Sequence, residues 1–226
     1  MNEAEWLACE EPWVVLRCVH ARTTASERAK NRRAILFAAA YCARLQPVIH
    51  FRIAGEVVRW LEATADEQPT ARDRFSIANA IERACRLSRD EREKSALHAL
   101  EAARTGTRVS NFYDAVVQVS QMAARALASD NSDRKAAEDR LQNVLIRDIF
   151  GNPFRPVSFN PTWRTDTAVS LARGMYDSRD FSAMPILADA LQDAGCEDEQ
   201  VLNHCRDANQ PHVRGCWVCD LVLGKE

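Results

Sequence analysis

Apolar residues recur along most of this chain at steps of three and four, the period of one face of an α-helix. The run SERAKNRRAILFAAAYCARLQPVI, residues 26–49, opens on basic residues and then places Ile35, Ala38, Ala39, Cys42 and Leu45 on one side. It predicts a central core helix, bent or broken near Pro47. Residues 52–67, 70–87 and 90–104 repeat the pattern, with Val57, Trp60 and Leu61, then Ile77, Ile81 and Ala84, then Leu97 and Leu100 facing inward. Their joints are short and polar, which predicts antiparallel neighbours. Residues 110–128 present Val116, Val119, Met122, Ala123 and Ala126, and residues 133–149 present Leu141, Val144, Leu145 and Ile149. At the start, a short helix over 3–9 precedes another beginning at Pro12, whose fixed φ suits a first turn, with Trp6 and Trp13 as anchors. No fixed repeat period emerges, so an irregular bundle is the expectation rather than a solenoid.

The helical period stops at FGNPFRPVSFNPTW, residues 150–163, where Pro153, Pro156 and Pro161 remove donors and push the preceding residues toward extended geometry. Phe150, Phe154, Phe159 and Trp163 argue against a solvated linker, and the segment reads as a strap packed across helices; a surface for a partner is the alternative. Helices over 165–176, 182–194, 198–206 and 212–223 follow. Ser182 is the predicted cap of the second, Pro185 sits in its first turn and Gly195 ends it. The expected architecture is all-α: a helical bundle over 1–149, then a Pro/aromatic strap and a small helical unit over 150–226, packed on the bundle as one globule.

Composition supports helix and narrows the function classes. Of 226 residues 46% are hydrophobic, 27% charged and 7% aromatic, with only seven glycines, which is ordinary for a globular chain. Net charge is −2, and residues 150–226 hold 7 basic against 11 acidic side chains, so the basic excess of a nucleic-acid footprint is missing. Arg28, Lys30, Arg32 and Arg33 form a local basic patch, read as a solvated helix face. The acidic opening MNEAEWLACEEPW does not resemble a signal peptide, and no apolar run reaches the ~20 residues of a membrane span. The chain is therefore expected in the cytoplasm, with its eight cysteines as thiols rather than disulfides.

Chemistry concentrates in GCEDEQVLNHCRDANQPHVRGCWVCD, residues 195–220, which holds four of the cysteines and two of the five histidines. On a helix starting near Pro211, His212 and Cys216 would be i and i+4 and could close on one zinc ion. With Cys196 in the turn after Gly195 and His204 on the next helix, the ligand set is Cys196, His204, His212 and Cys216, a closed structural site. The spacing matches no standard finger or ribbon, since Cys216 and Cys219 form the sole CxxC. Core packing competes strongly: free cysteine is among the most buried residues, and His212, Cys216, Cys219 and Leu223 also read as a plain core face. A reactive version would use Cys216 or Cys205 as nucleophile, His212 or His204 as base and Asp220 to orient it. Nothing in the sequence marks an oxyanion hole. Packing is the expectation for Cys9, Cys18, Cys42, Cys85, His20, His50 and His98. Phosphate-cradle, dinucleotide, zinc-protease and serine-elbow motifs are absent.

The opening NEAEWLACEEP, the junction LIRDIFGNPFRPVSFNPTW and the closing PHVRGCWVCDLVLGKE together resemble an uncharacterised bacterial family of planctomycete type. The likeness covers residues 3–12 and 145–226, is poor in the middle helices and implies no activity. Within it Cys196, His204, Cys205, His212, Cys216 and Trp217 match the family pattern, whereas Cys219 stands where an apolar residue would serve. The functional expectation is a non-enzymatic helical interaction or adaptor protein, with another protein as partner and a structural Cys/His cluster able to hold zinc. The alternative is a thiol- or metal-dependent enzyme using the same cluster.

Overall fold

The computed structural model describes residues 1–67, 69–107, 112–128, 131–207 and 209–225; the side chains of residues 112–115 lie outside that description. Among the described residues there are twelve α-helices and no strand, so the chain is all-α. It folds as two compact units, Met1–Asn143 and Val144–Glu226.

The first unit contains α1 (Glu3–Ala8), α2 (Pro12–Arg22), α3 (Glu27–Ala43), α4 (Ile53–Asp66), α5 (Ala71–Leu87), α6 (Glu91–Gly106), α7 (Phe112–Ala128) and most of α8 (Ser132–Phe150). Helix α3 is central: Ile35, Ala38, Ala39 and Cys42 are buried as their spacing requires, and it packs on α4, α6 and α7. It ends at Ala43, ahead of Pro47, because a helical Pro47 would lack its donor and clash with the Ala43 carbonyl. Side-chain caps set the starts: Ser26 accepts from the Ala29 amide, Thr70 and Asp73 close a capping box, and Asp90 accepts from Arg92 and Glu93. The inward residues of the other helices follow the pattern, with Ile77, Met122, Leu141 and Val144 only half-buried. The predicted helix start at 110 falls outside the described residues. Trp6 is buried as an anchor, but Trp13 is 44% exposed, its indole donating to Glu11 and stacking with Arg17. Its polar edge is satisfied at the surface, so nothing drives it inward.

The second unit begins within α8, whose last two turns belong to it, and continues through α9 (Asp166–Ser178), α10 (Met184–Asp193), α11 (Glu199–Arg206) and α12 (Trp217–Leu223). The proline-rich segment packs as a strap on this unit's core through Val157, Phe159 and Trp163. Arg164 at its end donates to the Leu221 and Val222 carbonyls, capping α12, while Gln200 of α11 donates to the Arg155 carbonyl. Gly195 takes φ +86°, and the Cys196 amide reaches back to the Leu191 carbonyl, so α10 ends as a glycine-terminated helix should. Ser182 does not cap α10. Asp180 accepts from the Ser182 amide, so that residue belongs to the preceding turn, and α10 starts later with Ala183 as its uncapped N-cap. No described helix is long and apolar enough to cross a membrane.

Candidate metal centre

The last helix is shorter than its pattern implies. Residues 211–213 carry no regular secondary structure, 214–215 form a turn, and α12 begins only at Trp217 with Cys216 as N-cap. Gly215 explains the difference: it adopts φ +102°, outside helical space, and breaks the continuous face on which His212 and Cys216 were predicted. The turn still brings the two together, with His212 Nδ1 3.9 Å from Cys216 Sγ.

His204, on α11, completes the approach, its Nε2 lying 3.2 Å from Cys216 Sγ. The fourth group is Asp148, on the last turns of α8. Its Oδ1 lies 2.7 Å from His212 Nδ1 and 3.2 Å from His204 Nε2, and its Oδ2 accepts from the Val213 amide at 3.0 Å. One donor atom from each of Asp148, His204, His212 and Cys216 lies within 4.8 Å of the other three, so this buried group could hold a metal ion. For comparison, ligand atoms around a tetrahedral ion with bonds of ~2.0–2.3 Å stand about 3.3–3.6 Å apart.

The surroundings fix these side chains. Trp217 packs against the His204 ring at 5.0 Å, and the two imidazoles meet edge to face at 4.9 Å. The Gln210 side-chain amide lies 3.3 Å from His204 Nδ1, the nitrogen turned away from the group, where it can orient the ring. The His212–Cys216 loop is held from beneath: the Gly215 amide donates to the Tyr176 hydroxyl at 3.0 Å, and that hydroxyl donates to the buried carboxylate of Asp220 on α12. Gly151, at φ +69°, lets the backbone pass the Trp217 ring; a Cβ there would sit 3.4 Å from it.

Burial pushes the Asp148 carboxyl toward neutrality, but hydrogen bonds from both imidazoles outweigh it and hold its pKa below the ordinary carboxylate range. Burial likewise opposes charge on each imidazole, and the adjoining Cys216 and Asp148 overcome it, lifting His204 to about 9 and His212 to about 10. Cys216 shifts well above the usual thiol value because it is fully buried and faces the Asp148 carboxylate.

Three of the four ligand candidates read from sequence therefore come together, joined by Asp148 from a distant segment. Cys196 is buried in the apolar core of the second unit and stands outside the group of converging atoms. Cys219 and Cys205 are core residues as well, Cys219 donating to the Met184 sulfur at 3.6 Å. None of the eight cysteines is joined in a disulfide. Cys42 is fully buried, which raises its pKa to about 12, whereas Cys9, Cys18 and Cys85 are only half-buried. The expectation of packing fails for His20, His50 and His98, which are exposed; His50 instead pairs with Glu93 at 3.1 Å. The basic patch is also not wholly solvated: Arg32 is buried and ion-paired with Asp66. Asp148 left one trace in the sequence. It stands three residues after Leu145 and seven after Leu141, an acidic side chain on an otherwise apolar helical stripe.

No family model, curated protein or solved structure matches the chain.

Proposed function

We propose that the second unit is built around a structural zinc-type divalent ion held by Asp148, His204, His212 and Cys216, and that the protein acts as a non-enzymatic helical adaptor binding another protein. One observation carries the ligand assignment. Each imidazole turns the same nitrogen toward both Asp148 Oδ1 and Cys216 Sγ, Nε2 in His204 and Nδ1 in His212. A nucleophile–base–acid relay uses opposite nitrogens of one ring, one toward the thiol and the other toward the carboxylate. Ligands of a common ion all point inward, as these do.

Charge supports the same reading. A carboxylate, a thiolate and two neutral imidazoles neutralise a divalent cation, which removes the cost of an uncompensated charge in a buried position. Four protein donors leave no open coordination position, so the centre is structural and the chemistry of a catalytic zinc has no place in it. A closed structural site supports the non-enzymatic reading, in which the chain serves as an adaptor and its partner is another protein.

Elemental analysis of the full chain, purified without added metal, tests the assignment. The expected result is one transition-metal ion per chain in the wild type and none in His212→Ala. A metal-free wild type that also fails to take up zinc on titration overturns it. Rapid alkylation of Cys216 at neutral pH, with the other buried cysteines protected, would restore the enzyme reading.

A further inference from the structure

The basic opening of α3 plays no part in the metal centre, yet it builds a second site in the first unit. Arg28 and Arg32, one helical turn apart, line a cavity of about 560 Å³. Thr64 and Asp66 at the end of α4, with Glu67 just beyond it, face them, and Arg74 closes the lining from the start of α5. Arg32 is only 6% exposed, and its Nε donates to Asp66 Oδ1 at 2.9 Å.

We propose that this cavity binds a small organic oxyanion: a phosphate ester or carboxylate that also carries hydroxyl or amino groups. The volume lies in the ~300–1,000 Å³ range of small-molecule sites and exceeds the needs of a bare inorganic ion. Three guanidiniums against two carboxylates leave a cationic excess, and the planar fork of arginine suits a two-oxygen headgroup better than an ammonium does. Asp66 and Glu67 repel a densely anionic ligand such as a polyphosphate, and with Thr64 they offer acceptors to hydroxyl or amino donors. The part-buried Arg32–Asp66 pair is a poor source of stability, because the cost of desolvating the charges offsets their attraction. It does hold a guanidinium and a carboxylate rigidly in the cavity wall, as preorganised recognition requires.

Isothermal titration of the full chain with ribose 5-phosphate, malate and glutamate, and with neutral ribose as reference, tests the proposal. At least one oxyanion is expected to bind saturably while ribose does not, and the preference among the three identifies the headgroup. Arg28→Ala and Arg74→Ala are each expected to weaken that binding about tenfold or more, the contribution of a charge-assisted pair. Arg86→Ala, on an exposed part of α5, should leave it unchanged. Far-UV circular dichroism verifies folding, and since Arg28 is exposed its variant decides the matter even if Arg74→Ala misfolds. Failure of all three oxyanions to saturate, or an equal loss in Arg86→Ala, overturns the proposal.

Discussion

Asp148 is the residue on which the metal reading turns, because it faces both imidazoles and anchors the Val213 amide while fully buried. Asp148→Asn is expected to reduce bound metal to well below one ion per chain. Cys196→Ala is expected to keep the ion and cost only the ~1 kcal/mol of a small core cavity. The pair of variants separates the ligand set drawn from the local cluster from the set brought together in space. His204, His212 and Cys216 were legible as donors because they are crowded into one segment, and the same crowding drew in Cys196, which packs in the apolar core instead. Asp148 was not legible, because helical periodicity was already accounted for by Leu145 and Ile149 and its partners lie in another part of the chain. A second residue-scale test concerns Glu93, buried beneath His50. Burial alone would raise its pKa, but the Ser88 hydroxyl and the His50 amide and imidazole hold it below the usual value. A depressed folded-state pKa contributes stability above the unfolded value of ~4.3, lost as pH falls through the folded value. Urea unfolding of Glu93→Gln is expected to show a deficit of about 1–3 kcal/mol at pH 7 that shrinks toward pH 3.

Among elements, the loop between α11 and α12 decides the geometry of the centre. The 3.6-residue period correctly located α12 but extended it back to His212, since period alone does not see that Gly215 has left helical space. The same limit applies to Ser182, a plausible cap by type whose amide belongs to the Asp180 turn. Ser182→Ala should therefore be nearly neutral in thermal unfolding, whereas Thr165→Ala, which removes the side-chain cap of α9, should cost about 1 kcal/mol. Tyr176 joins α9 to this loop by accepting from Gly215 and donating to Asp220. Tyr176→Phe keeps the ring but leaves that amide without its acceptor. Competition against a chromophoric chelator is expected to show metal affinity lowered about tenfold, in the range typical of support lost behind the ligands.

At the scale of the molecule, the all-α class was readable from composition and period together: few glycines, alanine-rich stretches and apolar steps of three and four. What these could not give was convergence between segments, either of Asp148 on the C-terminal cluster or of Arg74 on the basic face of α3. Both depend on how helices pack, which leaves no local signature. Metal that binds only the folded state adds stability to the unit that holds it. Chelation of the wild type is expected to lower its unfolding temperature, and amide exchange should rise in α11 and α12 while α3 and α4 keep their protection. Because ligation needs neutral imidazoles and a thiolate, metal uptake releases protons and should weaken as pH falls.

The most direct measurement is X-ray absorption at the zinc edge of the zinc-loaded chain. One sulfur at ~2.3 Å with three nitrogen or oxygen neighbours at ~2.0–2.2 Å is predicted. A shell with two sulfurs, which would bring Cys196 or another core thiol into the site, or an all-oxygen shell of surface-bound ion, would contradict it.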